Sequence, residues 1–172
     1  IGMKQDSSVL YSIACKAKQA GKAVGVTTSV AINHATPAVF YAHQPDRQMY
    51  YEIGTDAAKA GFDFYGGAGW KQVISPHDSS AIDLYSLLRD SGYMIIDHRQ
   101  DFQALSAGAG KVVYVQPKDC VNPSSLPAAI DRKEGDLTLA DITEKAIQFL
   151  STRNEAGFFL MVEGCLLYTS PS

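Results

Sequence analysis

The sequence predicts an α/β fold, a partial and mostly parallel sheet flanked by helices, and three observations predict it. Short apolar runs alternate with amphipathic stretches along the chain, the pattern that strand–helix–strand crossovers impose. The run Phe158-Phe159-Leu160-Met161-Val162 is continuously apolar, as a strand buried on both faces should be. Of the 172 residues, 46% are hydrophobic and 19% charged, which suits one globular core and argues against a disordered chain. No internal repeat is evident.

The elements follow in order. Asp6-Ser7-Ser8 offers helix N-caps, and Val9, Leu10, Ile13, Ala14 and Ala17 recur at helical spacing until Gly21. Residues 23–29, rich in Val and Thr, read as a strand. Thr36-Pro37 reads as an N-cap with proline at the first helical position, opening a helix through Ala38, Phe40, Tyr41 and Ala42. Residues 44–60 are polar and aromatic without a clear period. Residues 62–65 form a short strand halted by Gly66-Gly67, and residues 80–90 a helix with Ile82, Leu84, Leu87 and Leu88 inward. A strand over 93–96, a helix over 99–105 and a strand over 112–115 come next. Three prolines make residues 117–135 a surface loop. Thr138 and Asp141 resemble a shortened capping box for a helix carrying Ile142, Ala146, Ile147 and Leu150.

Composition excludes several functions. A formal net charge of -3 gives no basic field for nucleic acid or an anionic membrane surface. No apolar stretch is long enough to span a bilayer. Cys15, Cys120 and Cys165 lack metal-type spacing, and Cys15 sits on a helical apolar pattern as a small core residue. The chain opens at Ile1 without Met, so the lack of a visible signal peptide carries no weight.

In a parallel sheet, ligands gather beyond the carboxyl ends of the strands, so polar residues just after a strand are the first to consider. Two strand ends qualify: Asn33-His34-Ala35-Thr36-Pro37, followed by His43 and Arg47, and Glu163-Gly164. A carboxylate and a hydroxyl form a hard-oxygen set suited to Mg²⁺, and an arginine fork grips phosphate. Each has a plainer explanation. Thr36 is accounted for as a helix cap, Arg47 as a surface cation, and His34 and His43 as packing residues. Gly66-Gly67 suits a turn better than a phosphate cradle, and Pro76-His77-Asp78 a turn with a capping Asp. Glu163 is hardest to dismiss, since a carboxylate after five apolar strand residues is seldom freely solvated.

The segments Val24-Gly25-Val26-Thr27-Thr28-Ser29, His34-Ala35-Thr36-Pro37-Ala38, Tyr41-Ala42-His43 and Arg47 resemble the alkaline phosphatase stretch running from a core strand to the phosphate-binding arginine. Phe64-Tyr65-Gly66-Gly67-Ala68 resembles that family's glycine-rich segment, and the stretch from Gly157 to Gly164 its strand ending in a metal-ligand glutamate. The resemblance implies a homodimeric hydrolase of phosphate monoesters, exported to the periplasm or secreted, with two Zn²⁺ and one Mg²⁺ and a phosphoserine intermediate. It also implies phosphate binding by Arg47, magnesium ligation by Thr36 and Glu163, and for His34 a place beside metal-bound water or phosphate.

The family's Asp-Ser-Ala nucleophile motif and its downstream zinc ligands are not found here. Residues 1–164 are therefore expected to be a partial catalytic domain without a nucleophile, inactive alone, and residues 165–172 a non-native tail. Two rival classes are a non-catalytic α/β module that binds phosphate through Arg47, and a related metallo-hydrolase such as a sulfatase or phosphodiesterase.

Overall fold

The computed structural model describes residues 1–106, 108–117 and 124–164. The expectations for residues 118–123 of the proline-rich loop, for Cys120 and for the tail from Cys165 lie outside the described residues.

Among the described residues, five strands form one parallel sheet: β1 (Ala23–Thr28), β2 (Phe64–Gly67), β3 (Tyr93–Ile96), β4 (Lys111–Val115) and β5 (Phe158–Glu163), in the order β3-β4-β2-β1-β5. Six helices of the same residues connect or flank them: α1 (Ile13–Gln19), α2 (Ala35–Ala38), α3 (Tyr50–Ala60), α4 (Leu84–Asp90), α5 (Arg99–Gln103) and α6 (Leu139–Ser151). Side chains alternate across the pleat and build two cores. Val24, Val26, Tyr65, Val113 and Met161 pack with α1 to α4 on one face. Ala23, Phe64, Val112 and Tyr114 pack with α5 and α6 on the other. The three-layer α/β architecture expected from the sequence is thus present.

Local chemistry explains where the elements begin. Ser12 caps α1 by accepting from the Cys15 amide, so the helix starts later than Asp6-Ser7-Ser8 suggested. That tripeptide forms a turn instead: the Asp6 carboxylate accepts from the Ser8 amide and hydroxyl, and Met3 bridges Val9. Val9 and Leu10 accordingly lie outside the helix and are exposed. At α2 the N-cap is His34, not Thr36, and the helix ends at Ala38. Helix α3 occupies residues that show no clear period in the sequence. Its buried stripe is Tyr51, Ile53, Gly54, Ala57 and Ala58, mostly small residues, and Gly61 ends it in the left-handed region. Asp83 caps α4, leaving Ile82 outside and exposed, while Leu84 and Leu88 are fully buried. The capping box of Thr138 and Asp141 at α6 is present in full.

Gly66 and Gly67 do not halt β2; they belong to it and are buried. A Cβ on Gly67 would lie 2.9 Å from the Val30 carbonyl oxygen and 3.0 Å from the Thr28 methyl carbon, so the bare backbone admits the chain following β1. This close approach replaces both the turn and the phosphate-cradle readings.

Among the described residues strand β5 pairs with β1 alone and stands at the sheet's edge, with Phe158 36% and Val162 46% exposed against 9% for Met161. A continuous apolar run therefore occurs here on a strand covered mainly on one face. At the opposite, amino end of the sheet, Asp63 precedes β2 and is nearly buried. Its carboxylate accepts from Lys18 Nζ at 2.8 Å, the Val24 amide at 2.9 Å and Arg153 at 3.3 Å.

Candidate functional site

The site is built at the carboxyl end of β1 and β5. Their parallel register sets Thr28 beside Glu163, and the Ser29 amide donates to the Glu163 carbonyl at 3.0 Å. Alternation places Glu163 on the same face as Met161, the face that α2 and α3 cover. One Glu163 oxygen, Oε2, accepts from the Thr28 hydroxyl at 2.7 Å. No hydrogen bond to Oε1 occurs among the described residues.

Beyond β1 the chain turns through Ile32 and Asn33 into α2. Asn33 is fully buried and ties three segments together. Its Nδ2 donates to the Tyr50 carbonyl at 2.9 Å and the Lys71 carbonyl at 2.8 Å, and its Oδ1 accepts from the Lys71 amide at 2.9 Å. The Tyr41 hydroxyl donates to the Ile32 carbonyl at 2.7 Å, fixing the same turn from below. His34 is thereby held on a braced turn rather than a loose loop.

Arg47, on the exposed connection between α2 and α3, sets its Nη2 3.3 Å from His34 Nε2. A guanidinium can only donate, so Nε2 is the acceptor and the ring proton resides on Nδ1. That Nδ1 is buried with no hydrogen-bond partner among the described residues. The His34 pKa is held below the ordinary histidine value, first by burial and then by the Arg47 charge. Glu163 opposes the shift and Lys71 adds to it. Arg47, Lys71 and Glu163 therefore all act electrostatically on one imidazole, giving two cations and one carboxylate around His34.

Thr36 lies two residues beyond His34 and is exposed, with its hydroxyl freed from the capping role that the sequence suggested. His43 serves a different purpose. Its ring is 3.0 Å from the Gly2 carbonyl, its amide donates to Asp56, and its ring meets Tyr11 edge-on, which anchors the first residues of the chain. Cys15 is half-buried on α1, with Sγ 3.6 Å from the Phe40 carbonyl. Asp78 accepts from the Ser80 amide and hydroxyl, the turn expected there. Thr28 and Lys71 were not singled out by sequence reasoning, and Asn33 stood in the strand-end run without a role of its own. Asn33 offered a signal, a single amide between a strand and a helix start; Thr28 read as an ordinary β-former.

Hard oxygens from Glu163 and Thr36 suit a magnesium-type ion, which keeps several waters and takes only one or two carboxylates. The uncommitted Oε1 of Glu163 fits that use. No group of three or more His, Cys, Asp or Glu able to hold a metal ion exists among the described residues, so protein side chains would supply only part of any metal's coordination shell. A cleft lined by Trp70, Tyr85, Arg89 and Asp97 lies farther along the same rim and includes none of His34, Thr36, Arg47 or Glu163.

Comparison with known proteins shows the family and the fold. The family model for alkaline phosphatase matches residues 1–68 and 76–168. The alkaline phosphatase of Gadus morhua is 31% identical over 183 residues, covering 86% of this chain and 38% of that protein. Alkaline phosphatase 3 of Bacillus subtilis (strain 168) is also 31% identical, covering 95% of this chain and 34% of its own length. Among solved structures, alkaline phosphatase from the Antarctic bacterium TAB5 superposes with a TM-score of 0.80 at 29% identity, over 96% of this chain and 46% of that one. The Thermus thermophilus enzyme gives 0.78 at 26% identity, over 95% and 33%. This chain thus spans little more than a third of the two curated relatives. On the extent of the family match and the shared fold, the chain belongs to the alkaline phosphatase family.

Proposed function

We propose that this chain contributes the phosphate-gripping side of a phosphate monoester hydrolase. The observation that carries the proposal is the Arg47–His34 contact on the rim that also bears Glu163. In this role Arg47 binds two non-bridging phosphoryl oxygens with its planar fork, a charge-assisted contact. Neutral His34 accepts a hydrogen bond from the Arg47 guanidinium through Nε2 and holds the fork in place, while Lys71 adds positive field. Glu163 and Thr36 would hold the magnesium ion, which supplies charge stabilisation and an ordered water shell when bound. Structures of the TAB5 enzyme with one histidine replaced by Glu or Asp carry Mg bound in the M3 site, in keeping with magnesium use in the family.

Turnover belongs, in this proposal, to the whole protein, a homodimer acting in the periplasm or after secretion through a phosphoserine intermediate. The family's zinc ions find no ligand group among the described residues, and no step is assigned to them here. The chain alone is expected to bind inorganic phosphate without hydrolysing an aryl phosphate. Phosphorus NMR titration should show binding that Arg47→Ala weakens about tenfold, the scale of one charge-assisted contact. Equal affinity in both proteins would remove Arg47 from the site. Metal-dependent hydrolysis by the pure chain would overturn the assignment of turnover to the whole protein.

A further inference from the structure

We infer that Thr28 is a positioning residue that aims the Glu163 carboxylate at the proposed magnesium ion, an inference that rests on the function proposed above. Thr28 is the last residue of β1 and is fully buried. Its Oγ1 accepts from the Val30 amide at 3.2 Å, which leaves its single proton for Glu163 Oε2 at 2.7 Å. The hydroxyl therefore has a fixed direction: backbone amide to hydroxyl to carboxylate.

The methyl group completes the device. A β-branched side chain has few χ1 choices, and the Thr28 methyl carbon sits 3.0 Å from where a Cβ on Gly67 would be. Gly67 makes room for the methyl, and the methyl holds the hydroxyl toward β5. Glu163 is otherwise a long, flexible side chain at the end of a strand that pairs on one side only among the described residues. With Oε2 tied to Thr28, Oε1 is left as the outward ligand. Partners that orient a ligating carboxylate in this way govern metal affinity although they never touch the ion, and their loss weakens binding about 10- to 100-fold.

The test uses calorimetric titration of Mg²⁺ into the chain and three variants. Thr28→Val keeps the shape and removes the hydroxyl, Thr28→Ser keeps the hydroxyl and removes the methyl, and Glu163→Gln removes the carboxylate charge. Thr28→Val should weaken Mg²⁺ binding at least about tenfold and Thr28→Ser by no more than about threefold, as expected for an outer-shell hydrogen bond. Should Glu163→Gln weaken binding while Thr28→Val leaves it unchanged, the positioning role is wrong and the site survives. Equal losses in Thr28→Val and Thr28→Ser would mark a packing effect and likewise overturn the role. Binding unaffected by Glu163→Gln would place the ion elsewhere, and both proposals would fall.

Discussion

Two carboxylates stand at opposite ends of the same sheet, and their surroundings differ in a way that separates architecture from chemistry. Asp63, at the amino end, engages both oxygens: Lys18 and the Val24 amide hold Oδ2, and Arg153 holds Oδ1. Glu163, at the carboxyl end, has one oxygen tied to one neutral hydroxyl and the other uncommitted among the described residues. A saturated carboxylate between two cations has nothing left to offer a ligand. A carboxylate anchored by half of its valence keeps a lone-pair face for one. Polar saturation therefore separates these two carboxylates better than charge or burial alone.

The largest expected effect tests that contrast directly. Asp63→Ala leaves two partly buried cations and a buried amide without their acceptor, and should cost about 3 kcal/mol or more in urea denaturation. Glu163→Gln should change stability by less than about 1 kcal/mol while altering Mg²⁺ binding. A reversal of these two results would break the comparison. Gly67→Ala comes next, at about 1–3 kcal/mol, because the added methyl meets carbonyl and side-chain atoms at 2.9–3.0 Å. Smaller still, Arg47→Ala should leave the urea midpoint within about 0.5 kcal/mol of the parent, since Arg47 is exposed.

The capping box sharpens the comparison with a carboxylate whose work is purely local. Thr138→Ala should cost about 1 kcal/mol. Hydrogen bonds from the Thr138 amide and hydroxyl hold the Asp141 pKa below the ordinary carboxylate value. Its contribution is therefore fully present above the ordinary value and is lost as pH falls through the lower, folded one. The stability gap between wild type and Thr138→Ala, measured at neutral pH and in strong acid, should shrink in acid.

What the sequence revealed follows the range of the interactions concerned. Thr138 and Asp141 signal a helix start within four residues, and that feature was legible. Asp6-Ser7-Ser8 was misleading because capping and turn formation use the same side chains, and only the Met3–Val9 bridge decides between them. Helix α3 was hidden because Gly54, Ala57 and Ala58 bury little apolar bulk, and Gly54 is chosen for the close approach of Leu84. The apolar run of β5 reads identically for a central strand and an edge strand, since neighbours in the sheet are set by distant pairing. His34, Thr36, Arg47 and Glu163 were singled out because they follow strands, and family resemblance supplied the roles expected of them. Thr28, whose hydroxyl partner lies 135 residues away, left no local mark.

The exposed flank of β5 has a kinetic consequence for the residue at its tip. Amides that point away from β1 have no ladder partner among the described residues, so deuterium should enter β5 sooner than β1 or β2. Glu163 then rides on an edge of the described sheet, and its placement at any instant depends on a single neighbouring strand among the described residues.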